Sequence, residues 1–258
     1  MRILDHFVRK NEKDFVFYKL KEKELETFIN KLTQNFRLCY ISDEELTHKC
    51  KANGMTTAEF LESYVLPDDG KIKSGDFGEM FCHYAVVDNW GRKGKLFTGP
   101  LKWRWKDRNK PMQYADSIMF YMPDKRASSE DMLLTIESKM KATKSTQHRI
   151  QDAIDGATLD KLSRISKTLE WLEEKYARLG LIKERNLVRR YKDPASYGNF
   201  NIVNKAIAVV DCECETGEID KAFENKESVS VIVFSMKDLK SIYERTRVNI
   251  INSDCNAE

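Results

Sequence analysis

The chain has 258 residues, of which 41% are hydrophobic and 10% aromatic, with 11 glycines and 5 prolines. That is enough apolar mass for one elaborated domain and too little Gly and Pro for a fibrous or disordered chain. Its 44 basic and 41 acidic residues leave a net charge of only +3, which excludes a generic polycation and confines any nucleic-acid affinity to local patches.

In chain order, Phe15 to Tyr18 is an apolar run, Leu25, Phe28, Ile29 and Leu32 recur at helical spacing, and Phe36 to Ile41 reads as a strand. Thr57 to Leu66 reads as a short helix that Pro67 must stop, with turn chemistry at Asp68-Asp69-Gly70. A helix over Phe77 to Val87 and strands over Lys95 to Lys106, Gln113 to Met122 and Met132 to Lys141 come next. Leu159, Leu162, Ile165, Leu169, Leu172, Tyr176 and Leu179 then recur at steps of three and four, the core stripe of a long helix that Gly180 ends. Ala206 to Val210 and Val229 to Phe234 read as buried strands. No apolar run approaches the ~20 residues that cross a bilayer, and the first residues lack a signal-peptide core, so a cytoplasmic protein with no membrane partner is expected. The six cysteines are scattered without a CxxC pair, which predicts reduced thiols rather than disulfides or zinc.

The chemistry-bearing positions are Glu79, Asp116, Glu137 and Lys139. A strand period of two over Leu133 to Lys141 sets Thr135, Glu137, Lys139 and Lys141 on one face, so a carboxylate and an ammonium project side by side. Magnesium takes oxygen ligands, usually one or two carboxylates with water and substrate phosphate, and Asp116 and Glu137 can supply the two. Lys139 can then hold the attacking water and offset charge developing at phosphorus. A Glu-x-Lys pair is also a common solvent-side pair. Asp116 argues against that reading, because it shares a face with Tyr114, Ile118 and Phe120, where an unpartnered carboxylate is costly. A buried Asp116–Lys139 salt bridge is the main competing explanation. Glu79 stays open between two roles: Asp76-Phe-Gly-Glu79 has the spacing of a capping box, and the same side chain could support the metal if its helix packs on the sheet.

The order of a helix bearing Glu79, a strand bearing Asp116 and a strand bearing Glu137-Ser-Lys139 resembles the PD-(D/E)xK nuclease superfamily, with Ala115 in the place of the proline of that motif. Gly75-Asp-Phe-Gly-Glu79-Met-Phe, the tryptophan-rich stretch, Tyr114-Ala-Asp116 and Ile136-Glu-Ser-Lys139 together resemble the HamA family of the Hachiman antiphage system and its AbpA-like relatives. The resemblance implies an α/β restriction-endonuclease-like core with a mixed central sheet flanked by helices. One elaborated domain is expected over 1–258: an N-terminal α/β elaboration over 1–70, a catalytic core over 71–155, and a long helix with C-terminal strands over 156–258. It further implies a magnesium-dependent DNA nuclease, with manganese as an alternative metal, controlled by a HamB-like superfamily-2 helicase. Asp116 and Glu137 would be metal ligands, Lys139 the catalytic lysine and Glu79 the helix acid.

For DNA contact, the densest basic stretch contains Arg92, Lys93, Lys102, Arg104 and Lys106. Strand alternation over Lys102-Trp-Arg-Trp-Lys106 would bury Trp103 and Trp105 and leave three cations free for phosphates. Lys141, Lys144 and Arg149 form a second run beside the proposed centre, suited to sequence-independent phosphate binding. The rival reading, from a different class, is a non-catalytic DNA-binding or regulatory subunit of a helicase complex in which the same charges form ion pairs.

Overall fold

Runs of β-branched and aromatic residues fold into strands, and the polar-apolar periodicity between them into helices. A computed structural model describes residues 2–253 apart from 13–14, 69, 92–96, 194, 196–197 and 220–228. The strands are β1 (Phe7–Glu12), β2 (Phe15–Leu20), β3 (Phe97–Thr98), β4 (Ser117–Tyr121), β5 (Met132–Lys141), β6 (Asn201–Asp211) and β7 (Ser230–Met236). The helices are α1 (Leu25–Tyr40), α2 (Asp43–Asn53), α3 (Thr57–Phe60), α4 (Gly70–Gly91), α5 (Arg149–Leu159), α6 (Ile165–Arg178), α7 (Ile182–Lys192), α8 (Cys212–Ile219) and α9 (Leu239–Ile251). The strands form one seven-stranded sheet in the order β1-β2-β7-β6-β5-β4-β3. Its four central strands, β2, β7, β6 and β5, run parallel, and the hairpin partners at each end are antiparallel, so the sheet is mixed. The architecture is α/β with a mixed sheet covered by helices on both faces, as expected. Among the described residues no helix is long and apolar enough to cross a membrane.

The two faces are sealed by different helices. On one, α1, α4 and α9 bury Phe28, Leu32, Phe81 and Ile242 against Leu134, Ile136, Val209 and Phe234. On the other, α5 packs Ile150, Ala153 and Ile154 on Ala206, Ala208 and Val233, while α6 and α7 pack Leu169, Leu172 and Tyr191 on Ile118, Phe120 and Leu133. Burying both faces of β5 explains its nearly continuous apolar sequence before Glu137.

Four expected elements differ. The strand expected over Gln113 to Met122 spans only Ser117–Tyr121, because the left-handed Tyr114 breaks the extended run and leaves Tyr114 and Asp116 ahead of it. Phe36 to Tyr40 belongs to α1 rather than to a strand, because Phe36 and Cys39 continue the three-and-four spacing from Leu32 and are buried with it. The strand expected over Lys95 to Lys106 is reduced, among the described residues, to Phe97–Thr98, and Lys102–Trp105 is a 3₁₀ turn. The long-helix stripe is interrupted: a π-helical turn, Asp160–Arg164, separates α5 from α6. A π turn takes up extra residues per turn and rotates the helix beyond it. Ile165, Leu169, Leu172 and Tyr176 are therefore buried, whereas Leu159, Leu162 and Leu179 are exposed. Gly180 ends the run at φ +69, a left-handed position that costs a residue with a Cβ more than it costs glycine.

The hairpin loop between β4 and β5 is fixed from below by Arg190 of α7. Its guanidinium pairs with both oxygens of buried Asp131 and donates to the carbonyls of Asp124 and Lys125 at 3.1 Å and of Arg126 at 2.7 Å. Arg190→Ala would leave the Asp131 charge buried and unpaired, so a loss of about 3–5 kcal/mol in urea unfolding is expected. Arg190→Met with Asp131→Leu should recover much of it.

Candidate functional site

Strand β5 outruns its neighbour, and the site forms where it does. The β4–β5 register ends with Ser117 opposite Ile136, which sets Asp116 opposite Glu137. Beyond that pair, the Asp116 carboxylate replaces the missing ladder partner, accepting from Ser138 N at 2.8 Å and Ser138 Oγ at 3.2 Å. The segment leading to Asp116 is held in place. Tyr114 sits at φ 62, a left-handed conformation uncommon for a bulky residue and characteristic of strained sites. Lys102, fully buried, donates to the carbonyls of Gln113 and Ala115, and Ala115 N donates to Thr168 Oγ1 of α6.

Glu137 lies between cations. Its Oε1 pairs with Lys139 Nζ and its Oε2 with the Arg164 guanidinium at 3.3 Å. Burial, then the Asp116 charge, raises the Glu137 pKa against the pull of Lys139 and Arg164. Burial works against the Lys139 ammonium, but Asp116 and Glu137 outweigh it and the lysine's pKa is raised. The competing Asp116–Lys139 contact is replaced by Glu137–Lys139, with Asp116 bonded to Ser138.

Glu79 is an interior residue of α4, nine positions past its first described residue, so the capping box does not form. Asp76, buried, instead accepts from Tyr40 Oη at 3.0 Å and pairs with Lys106 at 2.9 Å. Glu79 Oε2 accepts from Trp103 Nε1 at 3.0 Å. Burial, then the charge of Asp116, raises its pKa well above the usual carboxylate range. Asp116 thus raises the pKa of an acid on each of two other elements, Glu79 on α4 and Glu137 on β5.

Sequence reasoning missed four members of this neighbourhood. Asp160 and Arg164 come from the π turn: Arg164 Nε lies 3.0 Å from Asp160 Oδ1, and its NH2 also donates to Gly156 O. Asp160 is fully buried, and burial followed by Glu137 pushes its carboxyl up to about 7. Lys102 was expected among free surface cations, yet burial lowers its pKa to about 8 while Asp116 and Glu79 oppose that shift. Gly156 lets α5 lie on Glu137, since a Cβ there would come within 2.5 Å of the Glu137 carboxyl carbon. No local signal announced these residues: the leucine spacing runs unbroken through Leu162, and the reason Gly156 is small lies on another element.

The expected DNA-contacting cations divide into groups. The free alternation over Lys102 to Lys106 is overturned: Lys102 is buried, Lys106 pairs with Asp76, and Arg104 donates to Leu38 O from an exposed position. A 3₁₀ turn has no two-sided alternation, which is why the basic stripe does not form. Lys141 is also buried, pairing with Glu218 at 2.6 Å and donating to the carbonyls of Ser145 and Gln147. Lys144 is exposed, with Glu213 3.6 Å away, and half-exposed Arg149 pairs with Asp152. Arg92 and Lys93 lie outside the described residues.

Among the described residues no three His, Cys, Asp or Glu side chains stand close enough to form a ready metal cage. Magnesium asks for less, one or two carboxylates with water completing its shell. Asp116 and Glu137 fit that requirement, and burial, with the Asp116 charge second, raises the pKa of both Glu79 and Glu137, a cost that a divalent cation beside them would offset.

This geometry has two measurable outcomes. Gly156→Ala should displace Glu137 and destabilise the fold by about 1–3 kcal/mol in chemical denaturation. An Asp160 pKa of about 7, against 3.8 for an ordinary aspartate, means that the folded state binds this proton more tightly. Its contribution to stability is complete below the unfolded value and lost as pH rises through 7. Asp160→Asn should therefore flatten the fall in melting temperature between pH 5 and 8.

A model of the HamA family matches residues 3–250 of the chain. No curated protein matches it.

Proposed function

The chain belongs to the HamA family, a component of Hachiman antiphage defence, and on that premise we propose that it is a magnesium-dependent deoxyribonuclease controlled by a partner superfamily-2 helicase. The observation that supports this most strongly is the opposition of Asp116 and Glu137 across the end of the β4–β5 ladder, with Lys139 one pleat further along the face of Glu137. Asp116 and Glu137 would hold the metal with Glu79 behind them, and the bound ion would supply Lewis-acid stabilisation of the phosphate.

The chain's own residues do the rest. Hydrolysis adds water across one P–O ester bond: the water oxygen bonds to phosphorus, its surplus proton passes to solvent, and the departing sugar oxygen takes up a proton. Lys139, whose pKa is raised, remains an ammonium at neutral pH. It is therefore no base but a donor that orients the water and offsets charge at the phosphorane-like centre. The Ser138 hydroxyl and backbone N–H fix the Asp116 carboxylate, so little reorganisation is left for the reacting complex. Lys144 and Arg104, which are exposed, and Arg149, which is partly so, are the candidates for phosphate contacts along DNA.

The pairing of both Glu137 oxygens with cations favours one rival, a regulatory subunit in which these charges are structural ion pairs. Supercoiled plasmid incubated with the chain, alone and with its helicase, separates the two. Cutting should require magnesium and fall by about 10²-fold or more in folded Glu137→Gln and Lys139→Ala variants. Magnesium should also raise the melting temperature of the wild type but not of Glu137→Gln. Full cutting by both variants would place the chemistry elsewhere, and ion-pair mutants that chiefly unfold would support the rival. Because burial and Asp116 hold the Glu137 pKa above its usual value, acidification should slow cutting at higher pH than for an ordinary glutamate ligand.

A further inference from the structure

Arg164 has no counterpart in the two-acid-and-lysine reading, yet the fold is bent to deliver it. The helix running across β5 abandons α-helical geometry for a single π turn, Asp160–Arg164, beside Glu137, and a π turn inside a helix is a frequent mark of a functional position. The side chain is organised as well as placed. Its Nε lies 3.0 Å from Oδ1 of fully buried Asp160 as an ion pair rather than a hydrogen bond, and neither that Nε nor the Asp160 carboxylate has a hydrogen-bond partner among the described residues. Its NH2 donates to Gly156 O and approaches Glu137 Oε2. The guanidinium, about a quarter exposed, thus lies at the margin between the buried acids and solvent with one edge anchored.

The Asp160 ion pair on one side and the donation to Gly156 O on the other hold the guanidinium in place, and an arginine so held has further N–H groups with which to meet the oxygens of an anion. The anion that reaches this margin in a nuclease is the scissile phosphate. We propose, resting on the nuclease reading, that Arg164 is a further catalytic residue that donates to a non-bridging oxygen of that phosphate as charge builds on it, with Asp160 the positioning residue that aims it. Glu137 holds Arg164 at the site, and with a metal bound its carboxylate would serve the ion and leave Arg164 to the phosphate.

The experiment compares wild type with Arg164→Ala, Arg164→Lys, Asp160→Asn and Glu137→Gln, in the chain and in its helicase complex. It reads cutting at saturating magnesium, DNA affinity in calcium, magnesium binding by calorimetry and thermal melting. Arg164→Ala should melt as a folded protein, bind magnesium and DNA within about fivefold of wild type, and cut about a hundredfold more slowly. Guanidinium ion at millimolar concentration should restore part of the rate in Arg164→Ala and none in Glu137→Gln. Asp160→Asn should lower kcat with little change in KM. If Arg164→Ala cuts within threefold of wild type and merely binds magnesium more tightly, Arg164 is only a counter-ion of Glu137 and the proposal falls. If Arg164→Ala and Arg164→Lys both lose cooperative melting, the residue is structural and the proposal falls as well. If Glu137→Gln cuts as fast as wild type, the nuclease site itself is misplaced, an outcome distinct from failure of the arginine assignment.

Discussion

Glu137 is a carboxylate on an interior strand of a sheet that helices cover on both sides, and water cannot do there what it does at a surface. A bare charge in such a place costs several kcal/mol, so its neighbours are chosen by that cost. Lys139 supplies one cation from the same strand face and Arg164 a second from the helix above. Gly156 makes room for the carboxylate, and the ladder stops at Ile136 so that Asp116 can stand across from it. The shape of β5, α5 and the π turn is set by accommodating this one buried group.

The same requirement explains the second ring of polar contacts. Burial, and after it the negative charge of Asp116, raises the pKa of Glu79 and Glu137 together. The protein answers with directed donors rather than with free cations: the Ser138 N–H, the indole N–H of Trp103 and the buried Lys102 beneath the preceding segment. Donors built into backbone and core cannot swing away, so the acids are held apart in fixed positions. That rigidity would suit the proposed nuclease centre, where a cation and a phosphate would have to arrive in one geometry.

Much of this was legible in the sequence. The alternation through Leu133 to Lys141 put Glu137 and Lys139 on one face, and the cost of Asp116 on an apolar face signalled that it had a partner. The buried strands of the C-terminal half were marked by the apolar runs around Ala206 and Val231. What escaped was geometry that departs from ideal periods. A continuous 3.6-residue repeat carried the leucine stripe through Leu162, and only a π turn, which no local residue demands, turns that residue outward and Arg164 inward. The basic stretch around Lys102 was read with a period of two, whereas the chain there turns with a period of three and buries a lysine against backbone carbonyls. Gly156 was silent because its reason for being small lies on another element.

The strand order carries a consequence for how the molecule comes into being. β2 pairs with β7, and β5 with β6, so the first hairpin meets its sheet partner only when residues 230–236 are available, and the strand bearing Glu137 is flanked on both sides only after residues 201–211. A chain emerging from the ribosome therefore holds its acids on a strand paired on one side alone, by β4, until residues 201–211 have been made, and a product terminated before them lacks the second partner. The seating of the acids is thereby tied to the order of synthesis: Asp116 and Glu137 precede in the chain the strands that fix β5 in the middle of the sheet.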